Sequence, residues 1–207
     1  MSIRTGLLAV TTLAAGLGAA AADPLPYPSA DFALKAVLRD GGSLDLAYAD
    51  GRMRLELLPK SSPTLIVGIA DLKSGKVALM VPSMPKMAMQ TDLPPSFSFA
   101  ALTGSGTKTG TDTVAGEACD LWKIDPVPSQ TTAGPTTACI TADGIALRTH
   151  VEIQGKPQLV YEATALTRGP QDPRQFMVPH GVQTVKLPKS AVAAVPGLNL
   201  LAAPSAP

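Results

Sequence analysis

Between Phe32 and Leu57 apolar residues recur at every second position, and turn signals cut the repeat twice. Phe32, Leu34, Ala36 and Leu38 form one set, Leu44, Leu46 and Tyr48 a second, and Met53, Leu55 and Leu57 a third. A period of two places each set on one face of a β-strand. Asp40-Gly41-Gly42-Ser43 turns the chain after the first set. Asp50-Gly51 follows the second and suits a type I′ hairpin, whose two central residues both take positive φ. The segment predicts an antiparallel meander with one apolar and one wet face, Arg52, Arg54 and Glu56 standing on the wet one.

The same reading extends along the chain. Pro59 to Pro63 interrupts the pattern, Thr64 to Leu72 is an apolar run fit for a central strand, and Lys73-Ser74-Gly75-Lys76 turns it back through Val77 to Val81. Asp92 to Leu102 reads either as a short helix or as an irregular cover, and the Gly/Ser/Thr-rich Thr103 to Thr113 as a connection. Leu121, Trp122 and Ile124, then Cys139 and Ile140, Ile145 to Ile153 and Gln158 to Leu166 are further strand segments, with Phe176 to Val185 the last ordered piece. With 18 Gly, 20 Pro and few Glu, Gln or Lys, long stretches of helical period are hard to find. About ten short strands are expected, in a closed or half-closed all-β architecture.

The first 22 residues carry one basic residue, Arg4, an apolar run from Leu7 to Leu17 and Ala20-Ala21-Ala22 before Asp23. That order describes a removable secretory signal with an apolar run too short to cross a bilayer. Cleavage near Ala22 leaves 185 of the 207 residues, with 16 basic and 16 acidic side chains. A neutral balance offers no electrostatic footprint for nucleic acid, and no later segment is long enough for a transmembrane helix. The expected organisation is a signal peptide at 1–22, a linker at 23–30, one β-rich domain at 31–185 and a flexible Pro/Ala-rich tail at 186–207. A periplasmic monomer is expected.

Cys119 and Cys139 are the only cysteines, each inside a run of strand character. In an exported chain they predict one disulfide between neighbouring strands, closing a loop of 20 residues. Their separation lacks the close Cys-x-x-Cys arrangement of redox and zinc sites.

Catalytic constellations are not apparent. His150 lies mid-strand between Thr149 and Val151, and His180 follows Pro179 at the end of the sheet; neither has the setting of a general base. No Gly-x-Ser-x-Gly elbow, His-Glu-x-x-His, P-loop or Rossmann glycine pattern occurs. The chain reads as a non-enzyme with no cofactor and no metal. Met80, Met84, Met87 and Met89 invite comparison with thioether Cu(I) sites, but methionine is also an adaptable apolar lining, and ligating His or Cys is lacking nearby.

The segments DGRMRLEL, IADLKSGKVALMVPSMPKMAM, TGTDTVAGEACDLW, CITADGIALR and FMVPHG resemble a group of exported bacterial domains of undetermined role, related to the LolA/LolB periplasmic lipoprotein carriers. The resemblance covers roughly Phe32 to Gly181. It implies a curved antiparallel sheet forming a half-open β-barrel, with an apolar cavity on the concave side. The carriers insert substantial helices between strands, whereas only Asp92 to Leu102 offers one here. The expected function is uptake of an apolar small molecule, a lipid or a lipid-modified protein on a concave face lined by Leu44, Leu46, Met53, Leu55, Val67, Leu79, Met87 and Trp122. The alternatives are a structural or envelope interaction module with a filled core, and Cu(I) binding by the Met80–Met89 cluster.

Overall fold

In the computed structural model, which describes residues 22–62, 64–93, 99, 101–124 and 134–187, the alternating segments pair into one curved, open sheet. Residues 1–21 of the predicted signal segment, the tail from residue 188 and residues 94–98 and 100 of the expected cover lie outside the described residues. The strands are β1 (Asp23–Pro24), β2 (Phe32–Leu38), β3 (Ser43–Ala49), β4 (Arg52–Leu58), β5 (Ile66–Asp71), β6 (Lys76–Met80), β7 (Met87–Asp92) and β8 (Ser105–Val114). They continue with β9 (Glu117–Ile124), β10 (Thr136–Ile140), β11 (Ala146–Ile153), β12 (Lys156–Arg168) and β13 (Gln183–Lys186). Two antiparallel meanders, β2 to β7 and β8 to β12, join where β12 pairs with β2; β1 caps the β8 edge and β13 runs parallel to β7 at the other.

Register turns the sequence alternation into rows. Phe32, Tyr48, Met53, Ala70, Val77 and Thr91 face one another across six strands. Leu34, Leu46, Leu55, Gly68, Leu79 and Met89 form the next row, and Ala36, Leu44, Leu57 and Ile66 a third. These rows are the inner face, and they bury the main core together with Tyr161, Leu147 and Phe99. A slip of one residue would turn every one of these side chains to the opposite face, so burial itself fixes the register.

The outer face of the first meander is less wet than the alternation suggests. Ala33, Ala47, Arg54, Ile69, Ala78 and Gln90 make an outer row whose small residues leave a trough. A short 3₁₀ helix, Pro173–Phe176, lies over it: Phe176 is buried, and Arg54 donates a hydrogen bond to the carbonyl of Gln175. Asp172 caps that helix by accepting from the Arg174 amide.

Three tight hairpins carry two residues each at positive φ: Asp50-Gly51, Ala115-Gly116 and Gln154-Gly155. Asp50-Gly51 is the turn its sequence predicts. Ala115, at φ 53, is not an αL former, since its Cβ meets the following carbonyl there. Ala115→Asn is therefore expected to stabilise the fold by about 0.5–1 kcal/mol, checked by the urea midpoint.

That hairpin also corrects the reading of Thr103 to Thr113 as a connection. Residues Ser105 to Val114 are a ten-residue strand. It lacks apolar alternation because it lies near the sheet edge, mostly exposed, where β-branched threonine satisfies strand geometry without a core to face.

The expected linker at 23–30 is an ordered strap. Asp23 and Pro24 pair with Gly106 and Ser105, Leu25 donates to the Gly104 carbonyl, and Ser29 donates to that of Asp143. Gly144, at φ +87, permits the close approach: a Cβ there would lie 2.2 Å from the Tyr27 carbonyl carbon.

Cys119 and Cys139 form a disulfide between neighbouring strands β9 and β10, with Cα atoms 5.4 Å apart. At the end of β12, Arg168 makes a two-pronged pair with Asp143, at 2.6 and 3.1 Å, and reaches Glu117 at 3.0 Å. The guanidinium holds the Asp143 carboxyl at about 2, below its ordinary 3.8, against the opposing pull of burial. A carboxylate with a depressed folded pKa stabilises the fold above its unfolded value, and that contribution is lost as pH falls from about 4 toward 2. Arg168→Gln is expected to flatten the fall in stability across this window, read from urea midpoints at successive pH values.

Candidate functional site

Among the described residues, the largest group of apolar side chains from many strands converges on the inner face. Leu44, Leu46, Met53, Leu55 and Leu79, five of the eight expected lining residues, project into this core and are nearly or wholly buried. Their cover comes from the crossing between β7 and β8. Phe99 is 0% exposed and stacks on Tyr161, with ring centroids 5.4 Å apart and planes at 20°. Ala101 packs into the same core, while Leu102 packs with Leu25, Trp122, Ala138, Ile140 and Ala146 in a second cluster.

The other three expected lining residues stand elsewhere. Val67 pairs with Glu56 and Met80 on the outer face, since Ile66, Gly68 and Ala70 take the inner positions of β5. Met87 shares the inner side with Met89 but sits at the rim, 37% exposed. Trp122 is buried in the second cluster, apart from the leucine rows. Its register nevertheless puts it on the covered side, because Trp122 opposes Ala138, Ala138 opposes Thr149, and Thr149 opposes Tyr161.

The methionines do not converge. Leu79 opposes Met89, so Met80, one residue on, points to the opposite side of the β6–β7 hairpin from Met87 and Met89. Met84 lies in the turn, exposed to solvent. The backbone thus separates Met80 from Met87 and Met89.

Polar groups cluster outside the core. Arg148 bridges Asp112 and Glu162, which lowers the Asp112 pKa through the hydrogen bond Arg148 donates. His150, two residues on, is held below its ordinary pKa by partial burial and the Arg148 charge. His180 is exposed in the loop after the 3₁₀ helix. A cleft of 460 Å³ under the N-terminal strap is lined by Tyr27, Pro28, Asp31, Tyr48, Asp50 and Lys73 among others. Tyr48 forms its wall, edge-on to Tyr27 and stacked on Phe32, and burial drives its phenol pKa up. Lys73 and Asp50 close the rim with an ion pair of 2.7 Å.

No family model matches the chain, and no curated protein matches it. Among solved structures it is similar to the MucA/MucB complex of Pseudomonas aeruginosa, at 17% identity and a TM-score of 0.45, covering 77% of this chain and 59% of that one. It is also similar to MucB alone, at 18% identity and a TM-score of 0.42, covering 77% and 61%. A third likeness is to PNGF-II, at 11% identity and a TM-score of 0.46, covering 77% and 32%. The chain thus spans from 32% to 61% of the length of these solved chains. At such identities and scores the likeness bears on neither ligand nor partner.

Proposed function

We propose that this chain is an exported, non-catalytic binding module that takes up an apolar group on the inner face of its open sheet, in the place now held by Phe99 and its neighbours. The observation that carries this reading is the nature of the cover. Three rows of large apolar side chains are closed by a crossing whose described residues, 93, 99 and 101–104, are neither strand nor helix. Residues such as Phe99 and Ala101, seated by side chains outside any strand, open at lower cost than a paired strand, and what they uncover is a ready apolar surface. Export to the periplasm is supported by the N-terminal sequence and by a disulfide suited to an oxidising compartment. The occupant fits the chemistry of a lipid, another apolar small molecule or the lipid group of a modified protein, taken up by a monomer.

A second reading keeps the cover permanently in place, making the chain an envelope interaction module with a filled core. The complete burial of Phe99 favours it. The two separate in one experiment: the mature protein is purified without detergent, extracted with organic solvent, and the extract analysed by mass spectrometry. An apolar molecule near one per chain is expected. An empty extract, from a protein that takes up no pyrene-tagged alkane, would leave only the second reading.

A further inference from the structure

Two buried polar atoms, Trp122 Nε1 and Thr149 Oγ1, have no hydrogen-bond partner among the described residues. Their residues are only 7% and 0% exposed. Folded chains rarely leave such groups unpaired, because each gives up its bonds to water on burial. The pair is not scattered. Ala138 stands between them in the register, so both side chains rise from the same face on either side of a single methyl group. Two strand spacings put their Cα atoms about 10 Å apart, with only the Ala138 methyl between them. Leu102 of the crossing closes over Trp122 and Ala138. Tyr161, next along the row, is already engaged, its hydroxyl donating to the Ala146 carbonyl at 2.6 Å.

An indole N–H only donates, while a threonine hydroxyl donates and accepts. One oxygen with two lone pairs, seated over Ala138, satisfies both. A free carboxylate suits this place poorly, because a buried anion needs a cation beside it. Lys108, the cross-strand neighbour of Trp122, is exposed and held by Asp120 at 2.8 Å. We infer that Trp122 and Thr149 anchor the uncharged carbonyl oxygen of an ester or amide whose hydrocarbon part runs toward the Phe99–Tyr161 stack. This rests on the binding reading above and names the class of molecule that the inner face takes.

The test compares a pyrene-tagged fatty-acid methyl ester with a pyrene-tagged alkane of equal length, each titrated by anisotropy into the mature protein. The ester is expected to bind about tenfold more tightly, the worth of one or two hydrogen bonds in a dry site. Thr149→Val and Trp122→Phe are each expected to bring the ester-to-alkane ratio close to one. Thr149→Val, which keeps the side-chain shape, is also expected to raise the urea midpoint, since it removes an unpaired polar group. Equal affinities for the two probes, or a ratio that neither variant changes, would overturn the carbonyl anchor while leaving the binding reading intact. A lower urea midpoint for Thr149→Val with an unchanged ratio would assign the pair to a structural water and also overturn it. Binding of neither probe to the unaltered protein would remove the binding reading and the anchor together.

Discussion

Phe99→Ala is expected to weaken the fold and, at the same time, to tighten its hold on an apolar probe. The ring is wholly buried and stacked on Tyr161, so truncation loses its transfer free energy, leaves a cavity and breaks an aromatic pair. Phenylalanine truncations in cores cost about 3–5 kcal/mol, and because Phe99 lies outside any strand, so that its backbone can settle partly into the gap, this one falls near the lower end. Binding moves the opposite way because the side chain occupies the face that the ligand needs. If the covered state dominates, apparent affinity is reduced by the small fraction of open molecules, and removing the competing ring enlarges that fraction. Affinity for a pyrene-tagged alkane is expected to rise roughly tenfold or more. A purely structural Phe99 would give the loss of stability alone. Urea denaturation and probe titration on the same preparation check the two halves separately.

Replacing both cysteines with alanine is expected to cost about 3 kcal/mol, the closure entropy of a loop of this size. Cys119 and Cys139 are 20 residues apart in sequence, yet their strands are neighbours. Without the bridge, β9 and β10 must find each other across a long connection, whereas β8–β9 and β11–β12 are secured by the tight hairpins at Ala115-Gly116 and Gln154-Gly155 and β10–β11 by the short turn from Thr141 to Ile145. Thermal unfolding of the double variant, set beside the unaltered protein with and without reductant, measures the loss. The two comparisons should agree, because reduction and substitution remove the same constraint.

The meander from Phe32 to Leu58 was legible in the sequence because each strand there carries one apolar and one polar face. Where that contrast vanishes, so does the phase. In TLIVGIADL nearly every residue is apolar, and nothing local tells that Ile66, Gly68 and Ala70 turn inward while Val67 and Ile69 turn out; the partner strand β4 decides it. The threonine-rich β8 failed for the converse reason, with no apolar residue before Val114 at its end to show an alternation. Met87 has the expected side but lies at the start of its strand, where the sheet rim lets solvent in. The outer trough was hidden because Ala33, Ala47 and Ala78 look neutral one at a time and become a seat for Phe176 only when the register aligns them. Trp122 and Thr149 stand 27 positions apart in sequence, and no periodicity joins them. Only the pairing of three strands brings them to either side of Ala138.

Trp122 is the only tryptophan, and it lies beneath the crossing, so its emission reports directly on what occupies the inner face. The decisive measurement is energy transfer from Trp122 to a pyrene-tagged alkane titrated into the mature protein. Uptake on the inner face predicts quenching that saturates at about one probe per chain and sets in at lower concentration in Phe99→Ala. Tryptophan emission unchanged up to the solubility limit of the probe, in both proteins, would contradict it.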